Sequence, residues 1–278
     1  MAPDVAHTPQ EEVEEIEFHL LLEAIFSRYG YDLRGYAPAS LRRRVLAVLA
    51  KSGLGNLGEL QHRLLSDPSL FADVLDDLTV HVSELFRDPG FFRVFRERVV
   101  PVLRTYPLVK IWHCGCGTGE EVYSSAIVLS ETSLYERTQI YATDVSPGAL
   151  DAAREGVYST EQVETFAENY ARAGGVGKLS DYCTDGYGRI ALKEPLRKNV
   201  LFFQHDLVSD QVFGEMHVVF CRNVLIYFGH DLKSRVLAKL ARSLCPGGFL
   251  CLGSSERLAR PGEWGFTEFA ADVSIYRR

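Results

Sequence analysis

The residues best placed to do chemistry in this 278-residue chain begin at Gly115-Cys116-Gly117-Thr118-Gly119-Glu120-Glu121. The stretch follows an apolar run, Val109–His113, and precedes a helical pattern. Glycines from Gly115 onward let the backbone turn tightly and come close to a ligand. A dinucleotide fingerprint would want its third small residue where Glu120 stands, and a diphosphate at this helix start would meet two carboxylates. No Gly-Lys-Ser/Thr is present, which excludes a P-loop. Acids at that point suit a cofactor with a cationic end and no phosphate. S-adenosylmethionine, with an ammonium and a sulfonium, is such a molecule. Asp144 closes the next strand-like run, 25 residues after Gly119, where an acid can accept from both ribose hydroxyls. Taken singly, Glu120 and Glu121 would also serve as complements to a helix dipole. Their order with Asp144 is what favours a methyl-donor site.

The elements that must carry these residues are of two kinds. Between residues 13 and 80 the apolar positions recur at helical spacing: Ile16, Leu20, Leu21, Ala24 and Ile25; Leu41, Val45, Val48 and Leu49; a short helix over 56–65; then Phe71, Val74, Leu75 and Leu78. Asp67-Pro68 is an N-cap and first-turn pair. A linking helix is predicted over Phe91–Leu103. After Pro107, short apolar runs at Val109–His113, Gln139–Thr143, Asn199–Gln204, His217–Cys221 and Gly248–Leu252 are mostly separated by helical stretches. Phe266 to Tyr276 adds one or two more strands. This alternation predicts an α/β fold with a mostly parallel, buried sheet. Residues 174–198, which hold Gly174, Gly175, Gly177, Gly186, Gly188 and Pro195 around short alternating pieces, read as a small β insertion. The expected organisation is a flexible acidic tail over 1–12, a helical domain over 13–88 and a catalytic domain over 89–278 containing that insertion.

Composition is that of an ordinary globular protein, 46% hydrophobic and 24% charged, which excludes disorder as the main state. No apolar run is long enough to span a membrane and no signal peptide is visible, so a cytoplasmic location is expected. The formal charge of −7 belongs to the leader: residues 1–27 carry Asp4, Glu11, Glu12, Glu14, Glu15, Glu17 and Glu23 without a Lys or Arg. The six cysteines form no Cys-x-x-Cys pair. His113-Cys114-x-Cys116 supplies too few ligands for a structural zinc site, and no metal is expected.

Three motifs carry a resemblance over about residues 13–278. They are Thr118-Gly119-Glu120-Glu121-x-Tyr123-Ser124, Cys221-Arg222-Asn223-Val224-Leu225-Ile226-Tyr227-Phe228 and Gly253-x-Ser255-Glu256, joined by Phe86-Arg87-Asp88 at the domain junction. The chain resembles the chemotaxis receptor glutamate methyltransferases (the CheR family). The resemblance implies a class I S-adenosylmethionine-dependent methyltransferase domain (Rossmann-like), a small all-helical N-terminal domain and an inserted β-subdomain. It implies transfer of the methyl of S-adenosylmethionine to glutamate side chains of chemoreceptor cytoplasmic domains, giving γ-glutamyl methyl esters and S-adenosylhomocysteine. Arg87 and Tyr227 would lie near the reacting methyl. Glu120 would meet the methionine end, Asp144 the ribose, and Asp206-Leu207 the adenine, while Arg222 and Asn223 would line the cofactor pocket. His81 and Ser83 fall where the family usually has Asn-x-Thr in contact with the cofactor.

The chain departs from the pattern at three places. His81 replaces an amide, Asp206 stands where asparagine is frequent, and His113-Cys114 fills a place usually held by small residues, which would narrow the pocket wall. On the partner side, residues 28–63 hold seven Lys/Arg against Asp32 and Glu59. By resemblance, the basic helix Leu41–Lys51 would meet acidic receptor surface, and the β-subdomain would offer a strand-addition site. Simpler readings stand beside these: Arg42–Arg44 as a solvated helix face and Tyr227 as core. A monomer is expected. A nucleic-acid methyltransferase is disfavoured, because the body lacks net positive charge and an Asn/Asp-Pro-Pro-Tyr/Phe motif. The competing reading is a cofactor-binding adaptor with weak or no activity, motivated by His81 and His113-Cys114. The acidic leader could also cover the basic helix until a receptor displaces it.

Overall fold

The computed structural model describes residues 9–79 and 83–278. The expected site residue His81 lies outside the described residues. The chain divides into two compact units: one runs to Thr79 and also takes Tyr227–Leu232, and the other holds the remainder from residue 80. The division falls earlier than the expected boundary at residue 88, so the Phe86-Arg87-Asp88 segment belongs to the second unit.

The first unit contains α1 (Pro9–Tyr29), α2 (Pro38–Ser52), α3 (Leu57–Ser66) and α4 (Pro68–Leu78). Each buries one stripe at helical spacing: Phe18, Leu21, Leu22 and Ile25; Leu41, Val45 and Val48; Leu57, Leu60 and Leu64; Phe71, Val74, Leu75 and Leu78. Helix starts are fixed by side chains. Asn56 accepts from the Glu59 N–H at 2.9 Å, and Asp67 accepts from the Ser69 N–H at 3.0 Å. α1 starts at Pro9, so residues 9–12 of the expected tail are helical. Glu11 and Glu12 in its first turn suit the positive end of the helix dipole.

The arginines of α2 are mostly engaged. Arg42 pairs with Glu15 at 2.6 Å, and Lys51 pairs with Asp77 at 2.7 Å. Arg44 is buried, donating to the Leu78 carbonyl and to the Ser40 carbonyl. Burial lowers its pKa from the ordinary arginine value, with the neighbouring Tyr227 opposing the shift. Arg43 is exposed. The solvated face expected for all three arginines therefore reduces largely to one of them.

The second unit opens with α5 (Pro89–Val94), a π-helical turn over Phe95–Val99 and α6 (Val100–Leu103). The linking helix expected over Phe91–Leu103 is present, these three segments running end to end from Pro89 to Leu103 with a π turn inside. Pro101 cannot donate to the carbonyl four residues back and crowds it, so the ladder widens, and the Val100 N–H reaches the Phe95 carbonyl instead. There follow β1 (Val109–Cys114), α7 (Glu120–Glu131), β2 (Thr138–Asp144), α8 (Pro147–Glu155), β3 (Val157–Ser159), α9 (Val163–Arg172), β4 (Cys183–Gly186), β5 (Arg189–Leu192), β6 (Val200–Gln204), β7 (Met216–Cys221), α10 (His230–Ser243), β8 (Leu244–Leu252), β9 (Thr267–Ala270) and β10 (Ile275–Arg277).

The main sheet has the order β6-β2-β1-β7-β8-β10-β9. The first five strands pair in parallel, and β10 is antiparallel to both β8 and β9. The inner strands β1 and β7 are buried on both faces, which explains their unbroken apolar runs, whereas the edge strand β6 is largely exposed. From β1 the chain moves to β2 on one side and later to β7 on the other. The crevice beyond the ends of β1 and β7 is thus the switch point where open α/β sheets take ligands.

The inserted sheet is wider than the expected 174–198. Its order is β3-β5-β4, and β3 pairs with β5 across α9, Tyr158 opposite Ile190. A three-residue strand leaves no periodic signal, and its partner is distant in sequence.

Candidate cofactor-binding and active site

The loop after β1 takes its shape from glycine. Gly115, Gly117 and Gly119 have φ of 64°, 53° and 92°. A Cβ on Gly115 would sit 2.7 Å from Val224 Cγ2, so glycine lets this loop meet the loop that follows β7. The Gly117 N–H donates to Asp144 Oδ2 at 2.8 Å, and the Ser146 N–H donates to Asp144 Oδ1 at 3.0 Å. Asp144 is thereby fixed at the end of β2, with acceptor capacity left on each oxygen. The His205 N–H donates to the Asp144 carbonyl at 2.9 Å, which brings Asp206 and Leu207 to the same edge of the sheet. Asp206 caps its own turn: Oδ1 accepts the Val208 N–H at 2.8 Å and Oδ2 the Ser209 hydroxyl at 2.9 Å. Burial raises its carboxyl above the ordinary value, against these hydrogen bonds.

Glu120 and Glu121 stand side by side in very different surroundings. Glu120 is 5% exposed and accepts the Thr118 hydroxyl, at 2.7 and 2.9 Å to its two oxygens. It has no basic partner among the described residues. Burial lifts its pKa above the ordinary carboxylate value, partly offset by Thr118. Glu121 would be raised by burial too, but Arg222 and His113 outweigh that and hold it below the ordinary value. Arg222 donates to Glu121 Oε2 and to Asp88 Oδ2, each at 2.7 Å, and its guanidinium lies 4.1 Å from the Phe91 ring centre. Its side chain is 1% exposed. Arg222 therefore works inside the wall of the site, as a tie between two carboxylates.

His113 is fully buried. Its ring approaches Glu121 at 3.2 Å and Ser125 at 3.0 Å, and it stacks on Phe220 at 4.2 Å. The ring is taken up by α7 and β7 and does not narrow a pocket wall, as its bulk had suggested. Cys114 is buried beside Cys221, and burial raises its thiol well above the ordinary value.

The Phe86-Arg87-Asp88 segment is a strained turn. Phe86 and Asp88 both have positive φ, 57° and 58°. The Phe86 N–H donates to Ser124 Oγ at 2.8 Å, and that hydroxyl donates to the Glu120 carbonyl at 2.7 Å. The Phe86 ring is buried against Phe92 and Tyr170 at 5.2 and 5.3 Å. With the Asp88–Arg222 pair on the other side, Arg87 is held between two anchored neighbours. Ser83 is half-buried in the irregular segment just before this turn.

Three residues that the sequence motifs contain, but to which the sequence assigned no role, shape this region: Asp88, Ser124 and Glu256. Glu256 is fully buried, and its carboxylate accepts N–H groups from Asn223 at 2.7 Å, Gly253 at 2.7 Å and Ile226 at 3.1 Å. Burial raises its pKa despite these bonds. The carboxylate ties the loop after β7, where Asn223 has φ of 61°, to the end of β8. The signal was present in Gly253-x-Ser255-Glu256, since an acid inside an otherwise apolar region needs partners. Tyr227 is grouped with the first unit: its carbonyl accepts the Ala37 N–H at 2.8 Å, and the Arg44 guanidinium lies 5.1 Å from its ring centre.

The donor set fits S-adenosylmethionine. A buried carboxylate at Glu120, without a basic partner among the described residues, matches the ammonium, Asp144 retains acceptors for ribose hydroxyls, and the glycine loop leaves room for close approach. Among the described residues no His, Cys, Asp and Glu group could hold a metal, and no helix is long and apolar enough to cross a membrane.

Residues 81–271 match the model of the CheR methyltransferase SAM binding domain, and residues 16–79 match that of the CheR methyltransferase all-alpha domain. A Pseudomonas putida protein named as a methyltransferase, Cher3, is 49% identical over 87% of this chain and 89% of its own length. The chemotaxis protein methyltransferase of Listeria innocua is 31% identical over 85% of this chain and 88% of its own. Chemotaxis protein methyltransferase 1 of Vibrio cholerae is 32% identical over 88% and 90%. With both domains matched and a donor set suited to the cofactor, the chain belongs to the CheR family of S-adenosylmethionine-dependent methyltransferases.

Proposed function

We propose that this chain methylates glutamate side chains in the cytoplasmic domains of chemoreceptors, forming γ-glutamyl methyl esters. The observation that carries the reading is the anchored Arg87 turn beside a cofactor-type donor set. It is supported by the relatives named chemotaxis protein methyltransferases.

The chemistry asks little of the protein in proton transfer, because a glutamate acceptor is already ionised at neutral pH. S-adenosylmethionine supplies an electrophilic methyl group on a sulfonium. Glu120 binds the ammonium end, Asp144 the ribose, and Asp206 with Leu207 the adenine. Gly115 and Asn223 give the backbone surface against which the cofactor lies, and Ser83 extends it. Arg222 holds Asp88 and Glu121 in place. Arg87 orients the incoming carboxylate, for which a planar guanidinium is suited. Tyr227 shapes the acceptor pocket. The catalytic contribution is then alignment and exclusion of water rather than acid–base work.

On this reading the protein acts in the cytoplasm as a monomer. Its approach to acidic receptor helices relies on Arg43 of α2, with Arg42 and Lys51 released from Glu15 and Asp77 on docking. The adaptor alternative loses one of its two motives, because His113 is engaged by Glu121 and Ser125.

Incubation with methyl-labelled S-adenosylmethionine and receptor cytoplasmic domains from the same organism should give a base-labile methyl ester. Cofactor binding without any such product would defeat the proposal. Arg87→Ala should reduce transfer far more than cofactor affinity, and equal loss of both would remove the role given to Arg87.

A further inference from the structure

A second cavity lies at the opposite edge of the sheet from the cofactor loops. It has a volume of about 570 Å³ and is lined by Leu108, Lys110, Glu215, His217, Arg242 and Leu244, with Cys245 and Pro246 at its side. Lys110, His217 and Leu244 stand at the starts of the parallel strands β1, β7 and β8, whereas the loops that hold the cofactor follow the ends of the first two. The two sites are therefore separated by the length of the strands.

Three features show local construction there. The β7–β8 register breaks between Met216 and Val218, so Leu244 pairs with Met216 but Phe249 with Val218. Such an irregularity re-aims the intervening side chain, here His217, and opens space beside Cys245-Pro246-Gly247. Glu215, just ahead, has φ of 58°. The Lys110 N–H donates to His217 Nδ1 at 3.0 Å, which puts the proton of the neutral ring on Nε2. Burial and Lys110 both lower the His217 pKa, so the ring is a neutral N–H donor near pH 7.

The donors outnumber the acceptors. The Arg242 guanidinium makes no hydrogen bond or ion pair among the described residues, and His217 Nε2 has no acceptor there. The Lys110 ammonium has only Glu215 near it, at 4.0 Å, and that carboxylate is 88% exposed. Leu108, 69% exposed, provides an apolar lip with Leu244 and Pro246. A point charge, a planar fork and a neutral N–H around one space suit the oxygens of a phosphate. The volume falls within the range of small-molecule sites and greatly exceeds a bare phosphate. We propose that this cavity binds a small phosphorylated ligand of nucleotide size, with Lys110, His217 and Arg242 on the phosphate and Leu108, Leu244 and Pro246 against the organic body.

Calorimetric titration with uridine diphosphate, on the full chain with S-adenosylhomocysteine saturating the cofactor site, tests this. Saturable one-to-one binding is expected, weakened about tenfold by Lys110→Gln and by Arg242→Gln, each of which removes a charge-assisted contact. Glu215→Gln should tighten binding by removing the nearby negative charge. Both cationic side chains reach solvent, and unchanged affinity of the variants for S-adenosylhomocysteine checks that they fold. No saturable binding at millimolar uridine diphosphate, or equal affinity in the Lys110 and Arg242 variants, would overturn the site. Pyrophosphate binding as tightly as uridine diphosphate would overturn the assignment of ligand size.

Discussion

Replacing Asp88 by asparagine, glycine and alanine separates the two things this residue does. Its carboxylate accepts from Arg222 at 2.7 Å, and its backbone sits at φ 58° immediately before Pro89. A residue before proline ordinarily goes extended, and a left-handed conformation costs an L-residue roughly 1–2 kcal/mol. A hydrogen bond to a charged group contributes about 1.5–3 kcal/mol when desolvated, and with Asp88 38% exposed that falls to about 1 kcal/mol. Bond and strain are thus comparable, and removing the bond lets the turn relax away from the arrangement that presents Arg87. Asparagine tolerates the left-handed region and keeps a neutral acceptor, so only part of the bond is lost. Glycine loses the bond but also sheds the strain that Asp88 carries, so the two offset and a change within about twofold in kcat is expected. Alanine loses the bond and keeps the strain, for about 1 kcal/mol, or roughly fivefold. The assay is initial rate of labelled methyl transfer to receptor domains, alongside calorimetric affinity for S-adenosylhomocysteine. Alanine matching or exceeding glycine would refute the strained-turn argument. Parallel losses in kcat and cofactor affinity would refute the assignment of Asp88 to Arg87 rather than to the cofactor.

Three further outcomes follow from the site. Glu120 has a raised pKa in the free protein, and a bound ammonium favours its ionised form, so binding lowers that pKa. Affinity for S-adenosylmethionine should therefore weaken as pH falls from 7 through the raised value, by up to about tenfold per unit. Glu120→Gln should lower affinity at pH 7 and flatten this dependence, and an unchanged profile would exclude Glu120 as the ammonium partner. Glu256→Gln keeps one acceptor oxygen but turns an amide N–H toward a backbone N–H. A loss of about 1–3 kcal/mol in urea unfolding, with an unchanged m-value, is expected. Gly115→Ala places a methyl 2.7 Å from Val224 at φ 64°. Cofactor binding should fall sharply, and the added Val224→Ala change should restore it only in part, because the backbone strain remains.

The sequence by itself determined the two classes of element, the glycine turn, and the order of Glu120 and Asp144 along the chain. It could do so because those features are local: helical spacing in α1–α4, apolar runs long enough for buried strands, and a turn that only glycine permits. Caps such as Asp67-Pro68 were legible for the same reason. Where local pattern was thin, the expectation failed. The three-residue β3 was invisible because its partner β5 lies beyond a whole helix, and the π turn that Pro101 imposes inside the linking helix left no mark in the apolar spacing. The uses of charge were decided by tertiary structure alone. Arg42, Arg43 and Arg44 are identical letters in a row, yet one is paired, one exposed and one buried. Arg222 looked like a pocket-lining cation and is instead enclosed between Asp88 and Glu121, residues far from it in sequence. Glu120 and Glu121 are neighbours whose pKa values move in opposite directions. A charge takes its energy from the groups within a few ångströms of it and from its distance to water, and both are set only when distant segments of the chain have come together.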